Sequence, residues 1–95
     1  PSSVIQRLIL ARCIAEKPRL IVLQDFFFGL RRADKQKLID MLVDKNNPWT
    51  LLSVSNDPLI MEACDRVVVL DHGKVRGVGS FRELLDKQLL NDCLE

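Results

Sequence analysis

Two polar residues, Gln24 and Asp25, end the apolar run Leu20-Ile21-Val22-Leu23. A buried strand that finishes this way delivers the polar pair to the edge of a sheet, where phosphates are met in α/β proteins. Charge decides what the pair can do there. Asp25 carries a carboxylate that can act as a general base toward an attacking water. Gln24 carries an amide, which can accept a hydrogen bond from a metal-bound water but brings no negative charge to a hard cation. Three aromatics follow, Phe26, Phe27 and Phe28. They either tuck into the core or form an exposed patch that docks another chain.

The remaining reactive residue types offer less. Cys13, Cys64 and Cys93 are widely spaced, form no CxxC pair, and cannot complete a zinc site with the single His72. They read as reduced thiols, with Cys13 and Cys64 buried. Fourteen basic and thirteen acidic residues are interspersed, for a net charge of +1. That balance leaves no electrostatic footprint for nucleic acid or an anionic membrane. Arg31, Arg32, Lys35 and Lys37 read as a solvated helix face, Trp49 as a core anchor at a strand end, and His72 as a turn residue. No apolar run nears the roughly 20 residues needed to span a bilayer, so a membrane role would come through a partner. Apolar content of 47% over 95 residues suits a real core. The chain opens on Pro1, which is expected of an excised or processed piece.

Elements follow from the hydrophobic spacing. Ser2 or Ser3 is placed to cap a helix running to about Glu16. Ile5, Leu8, Ile9, Arg12 and Cys13 follow i, i+3, i+4, i+7, i+8 spacing, and Leu10 and Ile14 widen the apolar side, so the helix reads as well buried. Lys17-Pro18 stops it. Arg19 to Gln24 reads as a strand covered on both faces, since its apolar run does not alternate. A helix over 31–44 carries Leu38, Met41 and Leu42 on one side, and Asn46-Asn47-Pro48 breaks it. Strands are predicted at 49–55, 66–70 and 75–78, with short helices at 58–63 and 81–86. Pro58 sits at the tolerated first helical position behind Asp57. Asp71-His72-Gly73-Lys74 is a tight turn. Residues 87–95 read as helical too. Three strands separated by helices indicate an α/β fold with a parallel sheet, closed by a C-terminal hairpin and helix.

In order and spacing, these segments resemble the C-terminal half of an ABC transporter nucleotide-binding domain, over nearly the whole chain. Gln6-Arg7-Leu8-Ile9-Leu10-Ala11-Arg12 is similar to the QRxxxAR helix that follows the LSGGQ signature. Lys17-Pro18-Arg19 with the strand after it resembles the lead into Walker B. Val54-Ser55-Asn56-Asp57 resembles the switch segment VTHD. The stretch from Cys64 to Val75 resembles ADRIVVLDHGKI, and Val78-Gly79-Ser80 with Glu83-Leu84-Leu85 resembles the G-x-x-x-E-L-L end. Each match is weak alone; their joint order is specific.

The resemblance implies a partial P-loop NTPase-type sheet, and it implies site residues position by position. Gln24 takes the Walker B aspartate position and Asp25 the catalytic glutamate position. Asp25 is one methylene shorter than glutamate and reaches less far. A shift by one residue would instead make Asp25 the Walker B aspartate; either way the acidic pair is incomplete. Asn56 takes the switch histidine position and cannot become cationic. Arg31 takes the aspartate position that ends the D-loop. Pro1-Ser2-Ser3-Val4 replaces SGGQ, so Ser2, Ser3 and Val4 bring β-carbons where glycine and an amide are usual. The site thus reads as degenerate.

The intact parent is expected to use ATP and Mg. This chain alone contains no GxxxxGK[ST] loop, so neither cofactor nor activity is expected of it. The implied partners are a second nucleotide-binding domain and a transmembrane subunit or domain. The implied location is cytoplasmic, at the inner face of the membrane. In such pairs a degenerate half holds ATP or completes the interface while its partner hydrolyses. The family's P-loop strand lies between the strands matching 50–54 and 66–70. Its absence leaves unpaired edges, so self-association through strand exchange or through Phe26, Phe27 and Phe28 is expected. A non-catalytic interaction module on the same scaffold is the alternative function.

Overall fold

A computed structural model of the chain describes residues 2–91, leaving aside the side chains of Ser2 and Ser3. The chain divides into two compact units, residues 1–55 and 56–95. The first holds α1 (Ser2–Ala15), β1 (Leu20–Gln24), α2 (Arg32–Val43) and β2 (Thr50–Val54). The second holds α3 (Pro58–Ala63), β3 (Val67–Asp71), β4 (Lys74–Gly79) and α4 (Phe81–Asp86). The fold is mixed helix and strand with a small parallel sheet.

In the first unit β1 and β2 pair in parallel, from Leu20 opposite Thr50 to Gln24 opposite Val54. A parallel pair needs a crossover, and α2 supplies it. The sheet buries Ile21 and Leu23 together with Leu38, Ile39 and Leu42 of α2. The other face of the pair is open. Leu20, Val22, Leu52 and Val54 are each more than half exposed, which corrects the expectation that β1 is covered on both sides. α1 is corrected in the same direction: Leu10 is its buried residue, while Ile5, Leu8 and Ile9 are exposed. Cys13 and Cys64 are half-buried rather than buried. On α2, Ile39 takes the inward place given to Met41, which is exposed.

Helix ends explain where elements stop. Lys17 adopts a left-handed φ of 55°, and its N–H donates to the Ile14 carbonyl at 2.9 Å. Pro18 then has no N–H to continue. At the C-terminus of α2, the Asn47 amide donates to the Met41 carbonyl at 2.7 Å. The Trp49 indole N–H donates to the Leu42 carbonyl at 3.1 Å. Trp49 is half-buried, and it closes orphaned helix carbonyls as well as filling space.

In the second unit β3 and β4 form an antiparallel hairpin. His72 and Gly73, with φ of 51° and 76°, make the positive-φ pair of its turn. Among the described residues β3 pairs with β4 and not with the parallel sheet, so the parallel layer has two strands where three were expected. A two-residue turn brings β4 alongside β3 at once, whereas β2 ends in the other unit. Met61, Val69, Leu84 and Leu90 form the core, with Val67, Phe81 and Leu89 packed against it.

The expected helix over 87–95 is not formed through Asn91, and residues 92–95, with Cys93, lie outside the described residues. Gln88 takes a φ of 59°. Its N–H donates to the Leu85 carbonyl at 3.0 Å, and the Leu89 N–H donates to the Leu84 carbonyl at 3.0 Å. That pair of bonds is a Schellman termination, sealed by Leu89 packing in the same core as Leu84.

α4 starts with a capping box. The Ser80 hydroxyl accepts from the Glu83 N–H at 3.1 Å, and the Glu83 carboxylate accepts from the Ser80 N–H at 3.1 Å. The Ser80 backbone N–H, then its hydroxyl, holds the Glu83 carboxyl below the usual carboxylate range. A folded-state value below the unfolded one means stability that is full above the unfolded value and lost as pH falls through the folded value. Melts near pH 7 and pH 3.5 should therefore show a larger acid loss in the wild type than in Glu83→Gln, which keeps an acceptor without the titration. Equal losses would remove Glu83 from the acid response.

Candidate functional site

The C-terminal end of β1 carries the polar pair. Gln24 and Asp25 are both exposed. The Asp25 N–H donates to the Val54 carbonyl at 2.9 Å, extending the ladder one residue past the strand. Asp25 has a φ of 49°, a left-handed conformation that aspartate tolerates better than most residues. The backbone then reverses through residues 25–30. The Phe28 N–H donates to the Asp25 carbonyl at 3.3 Å and the Leu30 N–H to the Phe27 carbonyl at 3.2 Å. Gly29, at a φ of 81°, supplies the positive-φ position of that turn.

This turn divides the three phenylalanines. Phe27 is 2% exposed, and Phe28 is 80% exposed. Phe26 is half-buried and meets the Phe27 ring edge-on, with centroids 5.4 Å apart. The continuous Phe26–Phe28 patch is thus corrected: Phe27 belongs to the core, and Phe28 is the projecting residue.

Arg31 precedes α2 and is highly exposed, with its Nε 3.6 Å from Asp34 Oδ2. Gln24, Asp25 and Arg31 therefore all belong to the first unit, around the connection from β1 to α2. Val4 is exposed in the first turns of α1. Ser2 and Ser3 lie in that helix by their backbone, but their side chains, like all of Pro1, fall outside the described residues. Asn56 opens the second unit as an exposed residue beside buried Asp57, whose carboxylate accepts from the Leu59 N–H at 3.0 Å and caps α3.

Two residues used in the sequence only as family markers make contacts here, Gln6 with the turn itself and Arg7 with the first turn of α2. The Gln6 side-chain amide donates to the Phe26 carbonyl at 3.1 Å. Arg7 lies 3.9 Å from Asp34 Oδ1, the carboxylate that Arg31 also approaches. Their adjacency in the QR pair was the signal available beforehand.

The donor set does not fit Mg and ATP by itself. Gln24 is neutral, leaving Asp25 as the one carboxylate of the pair, and a hard dication is held by charged oxygen ligands. Among the described residues no group of three or more His, Cys, Asp or Glu could hold a metal ion. Nothing in the 95-residue sequence matches the glycine-rich loop and lysine that cradle phosphates. Burial, then the Asp65 charge, pushes the Cys64 thiol above its ordinary value, away from the thiolate form. No helix among the described residues is long and apolar enough to cross a membrane.

No protein-family model matches the chain. Its relatives are ATP-binding and secretion proteins. It is 39% identical over 79 residues to the ABC transporter ATP-binding protein RamA of Streptomyces coelicolor, matching 83% of this chain and 12% of RamA. It is 35% identical over 83 residues to the mating factor M secretion protein mam1 of Schizosaccharomyces pombe, matching 87% of this chain and 6% of mam1. It is 32% identical over 87 residues to the energy-coupling factor transporter ATP-binding protein EcfA1 of Lactobacillus johnsonii, matching 90% of this chain and 31% of EcfA1. The chain is thus similar to a segment of ABC transporter ATP-binding proteins, and it spans a third or less of the length of each of these three.

Proposed function

We propose that this chain is the C-terminal portion of an ABC-type nucleotide-binding domain on a P-loop NTPase scaffold, with altered residues at the catalytic positions. One observation carries the reading: the polar pair Gln24-Asp25 ends a parallel strand, inside a segment that aligns for most of its length with ATP-binding proteins. In α/β sheets ligands gather at the carboxyl ends of strands. In the longer protein, ATP and Mg would be bound jointly with residues outside these 95. A second nucleotide-binding domain and a transmembrane partner would convert nucleotide state into transport, placing the domain at the cytoplasmic face of the membrane. There Asp25 would serve as the base, Gln24 would bring no charge to the metal, and Asn56 would take the switch position. Arg31 and the exposed Val4 would meet the second domain, with Ser2 and Ser3 at the signature positions that precede Val4 in sequence.

The chain alone is expected to melt at the same temperature with and without Mg-ATP. A stabilising shift that saturates at micromolar ATP would mean a complete phosphate site and would overturn the reading. In the longer protein, Gln24→Asp should raise hydrolysis and Asp25→Asn should abolish it. Lower activity on Gln24→Asp would contradict a metal-site defect.

A non-catalytic interaction module is the second reading, favoured by Phe28, which stands 80% exposed on a turn. The open edges of β2 and β3 would add strand exchange to it. Self-association that ignores ATP and weakens in Phe28→Ser would support this reading over the first.

A further inference from the structure

We infer that Gln6 is a positioning residue that ties α1 to the turn carrying Asp25, so that the start of α1 and the end of β1 move as one body. The first turns of α1 have little other hold on the first unit, since its half-buried Cys13 and Ile14 lie toward the far end. Leu10 is its buried side chain, while Val4, Ile5, Leu8 and Ile9 are 46–67% exposed. Behind it, Lys17 is in the left-handed region and Pro18 follows, which breaks helical continuity between α1 and β1. The polar tie therefore carries weight that packing does not. Gln6 Nε2 donates to the Phe26 carbonyl at 3.1 Å, a part-buried contact twenty residues away in sequence. Phe26 is the residue after Asp25, inside the turn held by the Phe28-to-Asp25 and Leu30-to-Phe27 bonds. Arg7, one residue on, approaches Asp34 at 3.9 Å and adds a weaker, partly exposed second point. Val4 is half a helical turn from Gln6, so a partner that presses on the first turns of α1 displaces the carbonyl next to Asp25. Calling this a link between an interface and a nucleotide site rests on the proposed function; the tie itself does not.

Amide hydrogen exchange on the whole chain tests it, using wild type, Gln6→Ala and Gln6→Glu. Alanine has the higher helix propensity, so a loss in that variant does not come from a weaker α1. Ionised glutamate keeps the length and shape of glutamine but cannot donate to a carbonyl. Both variants should speed exchange at Phe28 and Leu30 by about two- to tenfold, the range for losing one net hydrogen bond. Exchange along β1–β2 and in the β3–β4 hairpin should stay as in the wild type. Unchanged rates at Phe28 and Leu30 would overturn the tie. So would a uniform rise across the first unit, or an effect of Ala without one of Glu. None of these readouts involves ATP, so failure of the nucleotide reading in the Mg-ATP melt leaves this result distinct.

Discussion

Phe27→Ala is expected to remove the cooperative unfolding of the first unit, whereas Phe28→Ala, one residue away, is expected to leave it intact. Phe27 is 2% exposed and Phe28 80%. Truncating a buried phenylalanine costs about 3–5 kcal/mol, through lost transfer energy and the cavity left behind. Small domains are stable by only about 5–15 kcal/mol. The edge-on contact between Phe26 and Phe27, at 5.4 Å, adds about 0.5–1.5 kcal/mol that disappears with the ring. Leu30, whose N–H bonds the Phe27 carbonyl, is buried as well, so the turn is anchored in the core at both residues. An exposed ring makes no such contribution, and its removal should fall within about 0.5 kcal/mol. Urea titrations of both variants, followed by far-ultraviolet circular dichroism, separate the two. Equal midpoints would contradict the division of the phenylalanines and restore a single patch. The same pair guards the interaction reading: loss of self-association in Phe28→Ser with an unchanged midpoint is an interface effect, while the same loss in Phe27→Ser is unfolding.

The sequence made local features legible and left surroundings hidden. The helices at 58–63 and 81–86 match α3 and α4 residue for residue, because proline at a first turn and serine before a glutamate three residues on are signals written within six residues. Gln24 and Asp25 sit at the end of β1 for the same reason: an apolar run that turns polar has only one way to finish. Coverage is different. The run Leu20-Ile21-Val22-Leu23 states that both faces suit burial, yet Leu20 and Val22 are open. Burial needs a second layer, and a strand's own residues cannot say whether one is present. The three phenylalanines could not be sorted by composition either, since the left-handed Asp25 and Gly29 decide which ring turns inward. Gln88 likewise gives no compositional warning of a helix end, being neither glycine nor asparagine. The Gln6–Phe26 tie joins residues twenty apart, a distance at which spacing rules are silent.

Close packing at Gly77 gives the second large effect. A β-carbon built there would stand 2.7 Å from Leu89 Cδ1 and 3.2 Å from Leu84 Cδ2. Both leucines belong to the second core, and Leu84 is 1% exposed. Leu89 is half-buried, at the end of the Schellman turn, so its methyl can swing aside for alanine. Leu84 has nowhere to go. Gly77→Ala should therefore cost about 1 kcal/mol, and Gly77→Val, with two further carbons on the same side, about 2–3 kcal/mol. A steric origin predicts rescue. Leu89→Ala alone is destabilising, because it empties part of the core. Combined with Gly77→Val it should cost less than the sum of the two single changes, with a coupling of about 1 kcal/mol or more. Additive losses would mean that Leu89 is not what the new side chain meets, since removing it would then relieve nothing. Hairpin chemistry provides the contrast. Gly73, at a φ of 76° with open space around its β-position, should lose stability on Gly73→Ala through backbone strain alone. Trimming Leu89 should not recover it. The two glycines of one hairpin are thus separable by a single second-site variant, one held by what its neighbours occupy and the other by what its own backbone must do.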